Sequence, residues 1–227
     1  MSGTVLKILA CLAMLSDHIA AVIPNAIPGI RDVLFAIGPK EITLYYIMRS
    51  IGRTAFPIFA FLIAEGYAHT KDRRKYAVNL FLFALISEIP FNLAFSGELL
   101  YARQNVMFTL VLGYLGICCV ENFRATKQKM QLLILCALFI ISIFLKVDYG
   151  CFGFGFTILL HLLQQNKIIM AIIGTCLLPN RWVGGAAFIP ICLYNGKRGF
   201  ATGPVAKYAF YLFYPLHLLL LYIIRIG

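Results

Sequence analysis

The stretch Leu6-Lys7-Ile8-Leu9-Ala10-Cys11-Leu12-Ala13-Met14-Leu15-Ser16-Asp17-His18-Ile19-Ala20-Ala21-Val22-Ile23 is apolar enough to cross a bilayer, yet it carries an aspartate and a histidine side by side. A membrane span needs about 20 mostly apolar residues. An ionisable side chain at mid-bilayer costs about 2.5–3.5 kcal/mol on insertion scales, so such groups face a protein interior and mark a functional pathway. The pair also interrupts any signal-peptide core, so the segment reads as a retained span.

Outward from this segment the same character continues. Of 227 residues, 61% are hydrophobic and only 13% are charged, and the mean hydropathy is +0.86. Those values exclude an ordinary soluble domain. The chain reads as one integral-membrane domain over residues 1–227, an all-α polytopic bundle. Its apolar runs predict about nine helices, near 6–23, 44–66, 76–95, 105–120, 131–146, 151–164, 168–179, 182–194 and 206–225. Eight or ten spans fit the same runs, because the sixth to eighth are short. The stretch Gly150-Cys151-Phe152-Gly153-Phe154-Gly155 can also begin a broken helix.

Basic residues set the expected orientation. Lys7, Lys71, Arg73, Arg74, Lys75, Arg124, Lys127, Lys129, Lys167, Lys197, Arg198 and Lys207 all fall on the side of the N-terminus and the even connections, 12 of the 20 Lys and Arg. That side is therefore expected to be cytoplasmic, in the cytoplasmic membrane of a bacterium. The net charge of +11 reads as this topology signal plus attraction to anionic lipid, not as nucleic-acid binding. Seven cysteines lie inside the expected spans without CxxC spacing, so they read as small core residues, with neither a disulfide framework nor a metal site expected. Small Gly and Ala residues in the seventh and eighth spans leave close packing into a homo-oligomer open.

Depth organises the remaining polar residues, since a helix rises about 1.5 Å per residue. His18 lies about 18 Å into its helix, Glu88 about 18 Å into the third and His217 about 16 Å into the last, while Arg53 is about 13 Å deep from the opposite side. Asp17, His18, Arg53, Glu88 and His217 thus share one layer. Neighbouring helical residues point about 100° apart, so Asp17 cannot readily orient His18 and is expected to pair with Arg53 or Arg49 on the second span. Lys207, Tyr211, Tyr214 and His217 form a polar stripe at helical spacing. Glu88 and Asn92 are one turn apart across Pro90.

Several strings carry a resemblance: Leu6-Lys7 through Asp17-His18-Ile19; Ile51-Gly52-Arg53-Thr54-Ala55-Phe56-Pro57-Ile58-Phe59-Ala60-Phe61 with Glu65-Gly66; Ser87-Glu88-Ile89-Pro90-Phe91-Asn92; Leu193-Tyr194-Asn195-Gly196-Lys197-Arg198-Gly199; and Tyr211-Leu212-Phe213-Tyr214-Pro215-Leu216-His217-Leu218. They resemble the TraX family nearly end to end. The resemblance implies an integral-membrane acetyltransferase, the family being named for acetylating the N-terminus of conjugative pilin. It extends distantly to transmembrane acyltransferases, in which an intramembrane His serves acyl-CoA-dependent transfer.

On that reading acetyl-CoA is the co-substrate and no metal is expected. Asn195, Lys197 and Arg198, with Lys75 or Lys207, would meet its phosphates. His18, supported by Asp17, would be the general base, or would carry the acetyl group transiently in a relay. Arg53, Glu88, Asn92, Tyr214 and His217 would contact the substrate or the developing oxyanion. The acceptor is a pilin N-terminus, an envelope sugar or a small apolar alcohol. Two other classes compete: a secondary transporter with a midplane polar site, whose usual paired internal repeats have no corresponding halves in this sequence, and a nonenzymatic pilus-assembly protein.

Overall fold

Short polar side chains set where several helices begin. In the computed structural model, which describes residues 1–123, 128–178 and 181–227, Thr43 Oγ1 accepts the backbone N–H of Tyr46 and Asn105 Oδ1 that of Met107, both at 3.0 Å. Asp72 Oδ1 accepts from Lys75 at 2.8 Å, and Asn166 Oδ1 accepts from Ile168 and Ile169. Each takes up a donor that a first helical turn leaves without an intrahelical partner. The chain is mostly helical: α1 (Gly3–Val22), α2 (Leu44–Gly52), α3 (Ala55–His69), α4 (Arg73–Ser96), α5 (Val106–Phe123), α6 (Gln128–Phe144), α7 (Gly150–Leu163), α8 (Lys167–Leu177), α9 (Arg181–Gly185), α10 (Phe188–Cys192) and α11 (Gly203–Ile226).

The expected segments coincide with these helices, with two of them divided. The second breaks at Arg53-Thr54 into α2 and α3, and the eighth breaks at Ala186-Ala187 into α9 and α10. Among the described residues four helical stretches are long and apolar enough to cross a membrane: Gly3–Val22, Leu44–His69, Arg73–Ser96 and Gly203–Ile226. The chain is a membrane protein. The other apolar helices have 10–17 residues; α8 is about 17 Å long against a hydrocarbon core of about 30 Å. Arg124 and Lys127, used above for orientation, lie outside the described residues.

The all-α expectation misses one element. Val33–Ile37 and Lys40–Thr43 form an antiparallel hairpin, β1 and β2, pairing Ile37 with Lys40 and Val33 with Thr43, with an irregularity between Val33 and Phe35. Val33, Leu34, Phe35 and Ile37 are all exposed, so no buried-face alternation marks β1 in the sequence. Nor are all the cysteines core residues. Cys11 and Cys119 are buried, but Cys136, Cys176 and Cys192 are exposed, and no disulfide forms among the described residues.

The chain divides into two compact units. The first comprises Met1–Ile58, Pro90–Leu99 and Thr175–Gly227; the second comprises Phe59–Ile89 and Leu100–Gly174. Within the first, α1 packs on α2 and α11, and Arg225 Nη1 of α11 donates to the Ala94 carbonyl at 2.8 Å. Within the second, α5 packs on α7, because a Cβ at Gly113 would lie 2.7 Å from Thr157 Cβ, a separation that only a missing side chain allows. Leu112, Val147 and Phe154 form its buried cluster, with Phe108, Leu135, Leu138 and Ile158 packed against it.

Candidate active site

The first unit gathers most of the intramembrane ionisable residues, beginning where α1 crosses α2. A Cβ at Gly52 would sit 2.1 Å from Asp17 Cβ and 2.3 Å from its Oδ1, so the crossing exists only because residue 52 has no side chain. The approach places Arg49, one turn before Gly52, against the carboxylate: Arg49 Nη1 donates to Asp17 Oδ2 at 2.6 Å. A charge-assisted bond of this length neutralises two groups that would each be costly at membrane depth. Of the two arginines weighed from the sequence, Arg49 is the partner. Arg53 caps α2, its backbone N–H turned to the Arg49 carbonyl, and its half-buried guanidinium makes no ion pair among the described residues.

His18 meets the last helix. Its Nδ1 lies 2.7 Å from His217 Nε2, and the ring centroids are 5.0 Å apart with planes at 5°, so the two imidazoles lie edge to edge in one plane. His217 Nδ1 is in turn 2.6 Å from the Phe213 carbonyl, one helical turn back. These contacts fix the tautomers of a neutral pair. A carbonyl only accepts, so His217 Nδ1 carries that ring's proton and its Nε2 is a lone pair. His18 must then donate from Nδ1, which leaves the lone pair of His18 on Nε2. That nitrogen makes no hydrogen bond among the described residues, and His18 is half-buried where His217 is buried. Phe95 edges the His18 ring at 5.5 Å, and buried Tyr214 tilts against both imidazoles, at 6.1 Å and 5.7 Å.

A basic cluster occupies the same unit at the start of α1. The chain turns at Asn195, whose Oδ1 accepts the N–H of Lys197 at 3.1 Å. The carbonyls of Lys197 and Arg198 then accept the first α1 amides, Gly3 at 2.8 Å and Thr4 at 2.9 Å. Asn195 is therefore a turn former, and the α1 amino end is filled by protein carbonyls. The Lys197 and Arg198 side chains are left exposed and without an ion pair among the described residues. Lys7 of α1 lies over the Phe210 ring at 5.4 Å and within electrostatic reach of Arg198. Lys207 lies near the rings of Tyr208 and Tyr211, so the stripe Lys207, Tyr211, Tyr214 and His217 runs along one unbroken helix.

The remaining candidates have contacts or positions of their own. Buried Asn92 donates from Nδ2 to the Leu99 carbonyl at 2.8 Å, holding the turn after α4. Glu88 belongs to the second unit, where its Oε2 receives Asn105 Nδ2 at 2.5 Å. Asn105 also reaches the Ala84 carbonyl and caps α5, so Glu88 ties α4 to the start of α5. Lys75 also stands in the second unit, exposed in the first turn of α4. His69 and Glu65 pair at the end of α3, at 3.4 Å. The role of the Phe213 carbonyl emerges from the geometry, and its four-residue spacing from His217 is the only sequence signal for it.

The family model for the TraX protein matches residues 2–225. The chain belongs to the TraX family. A relative, the probable fimbrial assembly protein FimC, serogroup H1, of Dichelobacter nodosus, is 29% identical over 245 residues, which cover 95% of this chain and 92% of that protein. No solved structure matches the chain. The TraX match spans both the His18–His217 contact and the 195–199 turn, so each lies within the family's region.

Proposed function

We propose that this TraX-family protein is a multi-pass acetyltransferase of the bacterial cytoplasmic membrane, with its N-terminus cytoplasmic and about nine membrane-embedded segments. It moves the acetyl group of acetyl-CoA to an amine or hydroxyl. The observation that carries this reading is the His18–His217–Phe213 relay, which holds one imidazole with its basic nitrogen uncommitted among the described residues. The exposed Lys197 and Arg198, beside Lys7, suit a polyphosphate. The α1 rise from Gly3 to His18 is about 22 Å, and an extended phosphopantetheine arm would have to follow it.

Acetyl-CoA supplies an activated thioester carbonyl. His18 Nε2 takes the proton of the acceptor as the acceptor nitrogen or oxygen bonds to the carbonyl carbon. The Nδ1–H bond to His217 strengthens as His18 becomes imidazolium. His18 then returns the proton to the leaving sulfur as the carbon–sulfur bond breaks. Arg53, beside the Gly52 crossing, stabilises the oxyanion. Asp17 acts through Arg49 and Gly52, holding α1 in place, and does not touch the acceptor. The family and the name of the Dichelobacter relative favour a pilin or fimbrial subunit N-terminus as the first acceptor to test; an envelope sugar and an apolar alcohol are the others.

Purified protein in detergent, given acetyl-CoA and a panel of peptide amines, sugars and alcohols, is expected to release CoA with at least one acceptor. Absence of CoA release with every acceptor, together with solute accumulation in proteoliposomes, would replace the enzyme by a transporter.

A further inference from the structure

The β1–β2 hairpin of the first unit carries an apolar surface that the acetyl-transfer reading does not use. Every residue of Val33–Ile37 is exposed, and the large side chains Val33, Leu34, Phe35 and Ile37 are 50–65% exposed. Successive strand residues point to opposite faces, so neither face of β1 is packed. The hairpin is nevertheless fixed at its base. Ile30 and Ile42 are buried, and the Tyr45 N–H donates to the Ile30 carbonyl at 2.8 Å. A contiguous apolar patch held out from a firm base marks a surface that binds something.

Its place in the chain identifies the partner. The hairpin joins two helical stretches long and apolar enough to cross a membrane, Gly3–Val22 and Leu44–His69, so both of its ends are held at one membrane face. Charges bracket the apolar run: Arg31 and Asp32 precede it, Lys40 and Glu41 follow it, and all four are exposed. Lys40 Nζ donates to Tyr46 Oη at 2.6 Å, and Arg31 lies 5.6 Å from the centre of the Tyr45 ring, a combination of basic and tyrosine side chains suited to the headgroup layer. The backbone limits the depth. No backbone hydrogen bond beyond the β1–β2 ladder reaches Val33–Ile37 among the described residues, and an open sheet edge does not lie in hydrocarbon, where its N–H and C=O groups find no partner. At the headgroup boundary water and lipid oxygens supply them. A peptide strand added along β1 would pair that edge but leave both apolar faces in water, whereas lipid covers both.

We infer that the β1–β2 hairpin is a membrane-surface anchor, with Val33, Leu34, Phe35 and Ile37 seated where lipid headgroups meet acyl chains, at the membrane face where α1 ends. The two bases and two acids around β1 balance, so the contact is with the apolar boundary and not with a charged headgroup. Thr43 both ends β2 and caps α2, leaving no linker between them. The depth of the anchor therefore sets the height of Arg49, about 9 Å further along the helix. The anchor concerns the hairpin and the bilayer and does not depend on the acetyl-transfer reading.

The test is tryptophan fluorescence of the full chain in phosphatidylcholine vesicles. The sequence has one tryptophan, Trp182, so Phe35→Trp is made together with Trp182→Phe. Lipid brominated near the headgroup end of its acyl chains, lipid brominated near their far end, and aqueous acrylamide serve as quenchers. The shallow bromine is expected to quench several-fold more strongly than the deep one, with partial protection from acrylamide. Ile37→Trp should behave alike, and melting temperatures in detergent should match the Trp182→Phe parent because neither side chain is packed. The same comparison with Trp182 retained, read as the difference from wild type, does not depend on that background folding. Quenching by acrylamide alone would place the hairpin in water, and deep-bromine quenching as strong as the shallow would place it in the hydrocarbon core. Protection from all three quenchers would mean cover by protein, a second copy or an added peptide strand. Each of these outcomes would overturn the proposal.

Discussion

Replacing Gly52 with alanine tests whether the α1–α2 crossing positions the site. The added Cβ would lie 2.1 Å from Asp17 Cβ, and ordinary contact begins near 3.4 Å, so the backbones of the two helices must separate by about 1.3 Å, because a Cβ does not move with side-chain rotation. That movement strains the 2.6 Å Arg49–Asp17 bond and carries His18, the next residue, with it. Overpacking of this kind costs about 1–3 kcal/mol. A 1 Å displacement of a catalytic group costs about 100-fold in rate. The matched control is Gly155→Ala: no atom outside its own helix lies within 4 Å of that Cβ, and such a change in a helix stabilises by about 0.4–1 kcal/mol. Melting temperature in detergent and acetyl transfer are measured for both variants. If Gly52→Ala matches Gly155→Ala in both, the crossing does not position the site.

Four further outcomes are expected. His217→Phe, which removes the acceptor of the His18 Nδ1–H, should lower kcat by about 10²–10⁴-fold with little change in KM for acetyl-CoA, and His217→Gln, whose amide oxygen can accept, should recover part of it. Arg49→Met alone, by taking this guanidinium from the Asp17 carboxylate, should destabilise more than Arg49→Met combined with Asp17→Asn, and a double-mutant cycle should return a coupling of about 0.5–3 kcal/mol; simple additivity would remove the pair from the account. Lys197→Ala with Arg198→Ala should weaken acetyl-CoA binding and flatten its salt dependence, whereas unchanged affinity would return the loop to capping α1. Glu88→Ala should lower the melting temperature through lost contact with Asn105 while Glu88→Gln keeps it near wild type, so a large loss of activity in folded Glu88→Gln would contradict the structural role.

The helices were legible because long apolar runs leave little choice of secondary structure, and their breaks at Arg53-Thr54 and near Ala186 fall at polar or small residues. The pairing of Asp17 with an arginine of the second span was legible from the cost of burying a lone charge. Which arginine it is depends on Gly52, since the crossing point selects the residue one turn before it. Depth counting put His18 and His217 in one layer, but neither their contact nor its tautomers followed from it, because the tautomers depend on which atom the Phe213 carbonyl meets. Depth also grouped Glu88 with these residues, but equal depth does not specify a partner, and the contact of its carboxylate with Asn105 is read from the structure alone. The hairpin stayed hidden because both faces of β1 are exposed.

The central claim is that His18 accepts the proton during acetyl transfer from acetyl-CoA. It is tested most directly by following labelled acetyl from acetyl-CoA to an acceptor peptide or sugar with purified wild-type protein and His18→Ala of equal melting temperature. Transfer by the wild type and its loss in His18→Ala is the expected result. Transfer at the wild-type rate by folded His18→Ala would contradict the account.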